Sequence, residues 1–304
     1  MPIVGIAFKI LSISAFTVMI TLIKLIGDTV PIGQIVFSRA FFAILPLLAM
    51  AVWSKDLMAM VRTKKLLSQF VRGMVGSGAM ALWFLALARL PLPEATAIGY
   101  AAPFFTTVLA VLLLGETVRI YRWSAIAVGL LGVLVILSPR LGLGTMTADP
   151  AAQTGALFAI GSTFCMALAQ VFVRVLTRTE KTITIVFYFS AVTSVLSLFT
   201  LPFGWVMPDA QTLAMLIGIG LVGGIGQLFL TQSYRHADVS VIAPFDYTSM
   251  IFAILVGWLL FAEIPTVPVL IGSAIVIAAG IFMIFRERRL GIERKAARQA
   301  RTHH

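Results

Sequence analysis

Ten stretches of roughly twenty apolar residues, parted by short polar breaks, limit what this chain can fold into more than any other feature. A helix rises about 1.5 Å per residue, so about 20 apolar residues cross a hydrocarbon core of about 30 Å. Breaks rich in charge, Pro and Gly place the stretches at 3–26, 32–53, 66–88, 93–114, 120–138, 153–176, 182–204, 211–233, 239–261 and 267–286. Composition points the same way. Of 304 residues, 60% are hydrophobic and only 12% charged, with a mean hydropathy of +1.03. Soluble domains carry about 25% charged residues, so most of this apolar surface needs lipid as its solvent. The predicted class is all-α, a polytopic membrane protein of ten transmembrane helices. The first stretch lacks a small-residue cleavage site and is read as a retained span, not a signal peptide. Cys165 stands alone, which excludes an intramolecular disulfide and a cysteine-based metal cluster.

The net charge of +11 would raise nucleic acid as a partner in a soluble protein. Here Lys and Arg follow the topology instead. With a cytoplasmic N-terminus, sixteen of them fall on inner segments, among them Arg62, Lys64, Lys65, Arg119, Arg122, Lys181 and the tail from Arg286 to Arg301. Only Arg89 and Arg140 fall outside. That bias predicts both termini in the cytoplasm and removes the case for nucleic acid. The basic tail, 287–304, is read as a membrane-surface anchor.

The sequence also aligns with itself. At an offset of 150, Gly5, Phe8, Ser12 and Lys24 match Gly155, Phe158, Ser162 and Arg174, and Ile35-Val36-Phe37 matches Ile185-Val186-Phe187. At 147, Gly73-Met74-Val75-Gly76-Ser77 matches Gly220-Leu221-Val222-Gly223-Gly224, Tyr100 matches Tyr247, and Gly115-Glu116 matches Ala262-Glu263. The organisation expected is a first five-helix repeat at 1–140, a linker at 141–152 and a second repeat at 153–286. Five is odd, so the second repeat enters the membrane in the opposite sense. Inverted halves are a transporter architecture, because they can exchange outward-open and inward-open shapes. Gly73-x-x-x-Ser77 and Gly220-x-x-x-Gly224 are small-residue pairs that let helices approach closely, and their placement predicts equivalent contacts for the third and eighth spans.

The Glu94-Ala-Thr-Ala-Ile-x-Tyr-x-x-Pro103 segment opening the fourth span, with Leu114-Gly115-Glu116 closing it and Phe261-Ala262-Glu263 closing the ninth, resembles the drug/metabolite transporter superfamily, specifically its EamA-type members. The resemblance covers about 3–286 and implies a bacterial inner-membrane protein with a solute cavity between the halves and peripheral fifth and tenth helices. It also implies export of amino acids, aromatic ones among them, or import of S-adenosylmethionine. The second half carries Ala262 where the pattern has Gly.

Charged groups within hydrocarbon are functional candidates by default. Arg39 is eighth in the second stretch and Asp246 eighth in the ninth, which puts each about 12 Å from its own end and the two within about 6 Å in depth. Asp246 follows Pro244, which should kink the ninth helix as Pro103 should kink the fourth. Three roles fit Asp246: a proton-coupling group, a counter-charge for a cationic substrate, or a structural partner for Arg39. Arg39 equally suits a substrate carboxylate. Lys24 and Arg174 are read as snorkelling to the interface, and Glu116 and Glu263 as exposed loop acids. Tyr100 and Tyr247, together with Trp83, could stack on a planar solute. Gln170 and Gln227 are costly to bury and complete the candidate substrate-binding set. The Ser/Thr stripes of the first, seventh and eighth spans are best explained by back-bonding to their own helices.

No phosphate-binding loop, Walker motif or metal-ligand cluster is present in the sequence, so neither an enzyme nor a cofactor is expected. The expected function is secondary transport of a small metabolite by alternating access, with proton or exchange coupling. An exporter of amino acids is favoured over an importer or exchanger of a cationic nucleoside and over a non-transporting scaffold.

Overall fold

In lipid every backbone amide must find its partner within the chain, and an apolar stretch does so as a helix. The structure, a computed structural model, describes residues 2–53, 55, 57–115, 120–139, 150–176, 179–237 and 242–302, and among these it is helical without strands. Eight helices are long and apolar enough to cross a membrane. They are the first span (Pro2–Ile26), second (Ile32–Trp53), third (Leu66–Leu87), fourth (Leu92–Gly99 continued by Ala102–Leu114), fifth (Ile120–Leu137), sixth (Pro150–Leu176), eighth (Ala210–His236) and tenth (Val267–Thr302). Two shorter apolar helices, Thr182–Leu198 and Thr248–Phe261, take the seventh and ninth places. Most of the linker, 141–149, lies outside the described residues with Arg140 and Glu116, as do the side chains of Arg174 and of every tail residue except Arg289.

Proline places the break in the fourth span. Pro103 supplies no N–H and crowds the carbonyl one turn back, so the helix stops at Gly99 and resumes at Ala102. Tyr100 and Ala101 bridge the gap by tight bonds from their N–H groups to the carbonyls of Ala97 and Ile98, at 3.2 and 3.0 Å. In the ninth span Pro244 lies in the first turn of a 3-10 segment, Ala243–Tyr247, which follows the α-helical Ile242 and leads into the helix Thr248–Phe261; residues 238–241 lie outside the described ones. Both spans end in a left-handed residue: Gly115 at φ 64° and, at the equivalent place, Ala262 at φ 54°. Asp209 caps the eighth span, accepting from the Thr212 N–H at 2.9 Å.

The packing repeats itself when the halves are exchanged. The first span lies against the eighth, and the sixth against the third; the second lies against the eighth, and the seventh against the third. The second–seventh, fourth–ninth and fifth–tenth pairs are each their own counterpart. Single hydrogen bonds obey the same exchange. Ser12 donates to the carbonyl of Gly226 at 2.8 Å, and its counterpart Ser162 donates to that of Ala79 at 2.7 Å. The small-residue pairs make the equivalent contacts expected of them. A Cβ on Gly220 would stand 2.6 Å from the Ser38 carbonyl of the second span, and one on Gly73 2.7 Å from Val192 Cβ of the seventh.

The main buried cluster gathers toward one end of the bundle, where Ile23, Ile26, Val30, Leu87, Leu90, Leu92 and Leu216 are shut from solvent. That end is called here the Lys24 end. The opposite one, where the first span begins, is the Lys9 end. Large apolar side chains such as Leu112, Leu131, Trp258 and Ile271 stay exposed along the outer faces, as a lipid-facing surface requires.

Candidate functional site

The approximate exchange symmetry of the halves brings some of the polar residues together at the contacts between them. Tyr100 and Tyr247 meet edge to face, with ring centroids 5.0 Å apart at 74°. The Tyr100 hydroxyl lies 2.7 Å from Ser249 Oγ and donates to the Tyr247 carbonyl at 3.3 Å. The break in the fourth span thus rests against the 3-10 segment of the ninth. Trp83 is half-buried with its ring against Gly99, just before the same break.

Arg39 is 4% exposed and its guanidinium lies 5.7 Å from the ring of Phe189 on the seventh span. Arg72, on the third span, sits closer over the same ring, at 3.9 Å. Two glycines make room for this stack. A Cβ on Gly76 would come within 2.8 Å of the Phe189 ring, and one on Gly223 within 2.7 Å of Met19 Sδ and 3.5 Å of Arg39 Nε. Gln69, one turn before Arg72, is fully buried. Neither end of its amide finds a partner among the described residues, and the same holds for Arg72 Nε and Nη1 and for Ser190 Oγ.

Asp246 does not reach Arg39. Its Oδ1 lies 2.6 Å from Nζ of Lys9, whose side chain is 3% exposed while that of Asp246 is 49% exposed. The reason is depth. Asp246 stands beside Lys9, eighth in the first span and so toward the Lys9 end, whereas Arg39, eighth in the oppositely running second span, sits nearer the Lys24 end. Lys24 and Glu263 also depart from expectation. Lys24 does not snorkel and Glu263 is no exposed loop acid; they form an ion pair, with side chains 13% and 19% exposed. Glu263 accepts the Leu92 N–H at 2.8 Å as well, and Lys24 donates to the Leu90 carbonyl at 3.3 Å. One cluster therefore ties the first span, the third–fourth turn and the ninth–tenth turn together. Nearby, Gln34 exchanges two hydrogen bonds with the backbone of Val206, at 2.9 and 3.1 Å, fixing the second span to the seventh–eighth loop.

The Lys9 end is not sealed in this way. A cavity of about 1150 Å³ opens there between the first, second, seventh and eighth spans, lined among others by Pro46, Trp53, Glu180, Lys181, Thr231 and Gln232. Gln227 is half-buried one turn above Thr231, whose hydroxyl donates to its carbonyl at 2.9 Å. Gln170 is exposed and is not among the residues lining this cavity. The serine and threonine stripes back-bond in part, Thr17 to Ile13, Thr21 to Thr17, Ser197 to Thr193 and Thr231 to Gln227, but Thr193 instead shares a 2.7 Å bond with Ser77 of the third span and Ser190 Oγ finds no partner among the described residues. Sequence reasoning overlooked Lys9, Gln69 and Arg72. The rule that singled out Arg39, a charge several residues inside an apolar stretch, applies equally to Lys9 and Arg72.

Two halves with exchanged contacts, one sealed end and one open end are what an inverted-repeat carrier needs. The EamA-like transporter family matches the chain twice, over residues 3–138 and 153–286. The chain belongs to that family. Each match covers one five-helix repeat, so the duplication seen in the packing is a duplication of the family's unit. The pseudopaline exporter CntI of Pseudomonas aeruginosa (strain UCBPP-PA14) is 30% identical over 279 residues, covering 91% of this chain and 94% of its own. The S-adenosylmethionine uptake transporter of Rickettsia prowazekii (strain Madrid E) is 26% identical over 286 residues, 94% of each chain. A riboflavin transporter of Rhizobium johnstonii is 31% identical over 242 residues, 79% of this chain and 76% of its own. A crystal structure with 19% identity superposes with a TM-score of 0.65 over 94% of this chain and 98% of that one, which shows the shared fold. This EamA-like protein is a multi-pass membrane transporter of the drug/metabolite type, and its relatives are transporters, not enzymes.

Proposed function

We propose that this chain is a secondary transporter that exports a small organic metabolite of amino-acid type by alternating access, aromatic amino acids being the favoured candidates. The observation that carries the reading is the difference between the two ends. The Lys24 end is tied shut by Lys24, Glu263, Gln34 and the backbone groups they hold, while the Lys9 end opens into a cavity of about 1150 Å³. Under the positive-inside rule the Lys24 end faces outward and both termini lie in the cytoplasm of a bacterial cell, so the closed end is the outer one. Tyr100, Tyr247, Trp83, the Arg39 cluster and Gln227 do not themselves line that cavity; a solute moving on from it to the contacts between the halves would meet them. Gln170, exposed on the sixth span, leaves the proposed site.

Import of a cationic nucleoside, the reading that the S-adenosylmethionine relative supports, needs a free carboxylate. Asp246 is held by Lys9, which weakens that reading. The same pair suits a coupling role, because protonating Asp246 would release Lys9. A non-transporting scaffold would have no use for one latched end and one open end.

The test is counterflow in proteoliposomes across a panel of amino acids, S-adenosylmethionine and riboflavin, with and without a pH gradient. Accumulation of amino acids in preference to the other two supports the reading. Preference for S-adenosylmethionine would replace it, and no counterflow of any solute would favour the scaffold.

A further inference from the structure

Arg39 and Phe189 occupy the same place in the two repeats, at the offset of 150 that also aligns Ile35-Val36-Phe37 with Ile185-Val186-Phe187. In the fold they touch, the guanidinium 5.7 Å from the ring. A residue can meet its own counterpart only near the axis that relates the halves, so this cluster stands on that axis between the second and seventh spans. Sites of inverted-repeat carriers lie at the interface of the repeats, close to the membrane midplane.

The cluster is also unbalanced. Arg72 joins Arg39 on the same ring, so two positive groups share one buried place. The ring face attracts them but offers no acceptor for their N–H groups. No carboxylate among the described residues makes an ion pair with either. Asp246 and Glu263 are engaged with Lys9 and Lys24 at opposite ends of the bundle, and Glu180 accepts the Lys64 N–H. Gln69, fully buried, adds an amide that bonds to nothing among the described residues, and Ser190 adds such a hydroxyl. Buried polar groups are normally satisfied, and a buried guanidinium most of all. The missing partner must bring several lone pairs and a negative charge. A carboxylate does both, and its two oxygens match the guanidinium fork.

We infer that Arg39 and Arg72, stacked on Phe189 with Gln69 alongside, form an oxyanion subsite that takes the carboxylate of the transported solute. This rests on the transport reading above and narrows it to solutes carrying an anionic group. The Oε1 of Gln69 is the acceptor available for a donor beside that carboxylate, such as the amino group of an amino acid. The charges come from the first repeat alone, since the counterparts of Arg39, Arg72 and Gln69 are Phe189, Ile219 and Leu216. The subsite therefore binds its ligand in one orientation, whatever the symmetry of the scaffold.

The test is thermal protection of the purified full chain in neutral detergent by amino acids and simple dicarboxylates, each set against its uncharged amide. Carboxylates are expected to raise the melting temperature and their amides not to. In Arg39→Gln and Arg72→Gln the apparent affinity should fall by about tenfold or more, with Arg72→Lys in between. A second readout needs no variant: phenylglyoxal should modify Arg39 and Arg72 in the unliganded protein and be blocked by a protecting carboxylate. Equal protection by amides, no protection by any carboxylate, or undiminished affinity in well-folded Gln variants would overturn the inference. So would protection by phosphatidylglycerol alone, which would make the anion a lipid headgroup. Counterflow run in parallel separates the two levels. Carboxylate binding without counterflow would leave the subsite and remove transport; counterflow of uncharged solutes at wild-type rates in the Gln variants would do the reverse.

Discussion

Lys24 and Glu263, 239 positions apart in the chain, form an ion pair at the end of the bundle where the main buried cluster also gathers. One span and two turns converge on it, because Glu263 also accepts the Leu92 N–H and Lys24 donates to the Leu90 carbonyl. In the proposed transport cycle such a pair acts as a latch. It stabilises the closed end while formed, and opening requires both charges to be rehydrated.

Neutralising one partner should therefore favour the opened end. Glu263→Ala and Lys24→Ala are each expected to lower counterflow by about tenfold, since each leaves a partly buried charge without its partner. Glu263→Gln separates the two contacts: it keeps an acceptor for Leu92 but loses the charge. A cysteine placed in the third–fourth turn should become more reactive to a membrane-impermeant maleimide in all three variants. Unchanged reactivity would mean that the pair does not hold this end.

Ala262 sits where its counterpart is Gly115, and both are left-handed, at φ 54° and 64°. For a residue with a Cβ that conformation costs about 1 kcal/mol. Ala262→Gly should raise the apparent melting temperature by about 1–3 °C, and Gly115→Ala should lower it similarly. Thermal unfolding of the purified variants checks both signs.

The fifth and tenth spans meet backbone to backbone. A Cβ on Gly272 would stand 2.5 Å from the Gly132 carbonyl, and one on Gly132 2.8 Å from Val276. Gly272→Val is expected to destabilise the fold by about 1–3 kcal/mol through overpacking. Neither helix lines the cavity or the arginine cluster, so counterflow per folded molecule should stay at the wild-type level. Proteoliposome assays normalised to monodisperse protein distinguish the two effects.

Removing the charge of Asp246 takes from the buried Lys9 the carboxylate it faces. Asp246→Asn should cost about 2 kcal/mol, less than for a fully enclosed pair because Asp246 is half exposed. Lys9→Gln combined with Asp246→Asn should recover much of that stability. If the pair couples transport to protons, the double variant melts normally but no longer responds to a pH gradient. A retained response would place the coupling group elsewhere.

Much of this architecture was legible in the chain. Span lengths, the five-plus-five repeat and the contacts of Gly73 and Gly220 follow from apolar periodicity and internal alignment, which reflect local physics. Ser12 and Ser162 show how far that reaches, since a match read in sequence reappears as two equivalent hydrogen bonds. The polar partners were harder. Counting along its apolar stretch puts Asp246 within reach of Arg39, but in the fold its carboxylate meets Lys9 of the first span, a contact that depends on how distant spans pack. Lys24 and Glu263 each look like ordinary interface residues within their own segments. Only the packing of distant turns encloses them, and no local pattern records that. Arg72 was visible by the same rule as Arg39, yet its meaning depends on Phe189, 117 positions away, meeting both.

Alternating access requires the Lys24 end to open during every cycle, and tying it shut tests that directly. In a Cys165→Ala background, Lys24→Cys and Glu263→Cys would be joined by a short bismaleimide, with a monofunctional maleimide as the control. Counterflow should fall to the level of protein-free liposomes in proportion to the cross-linked fraction, while the control retains transport. Full cross-linking with undiminished counterflow would show that solute does not pass through this end, and would contradict transport by exchange of the two inverted halves.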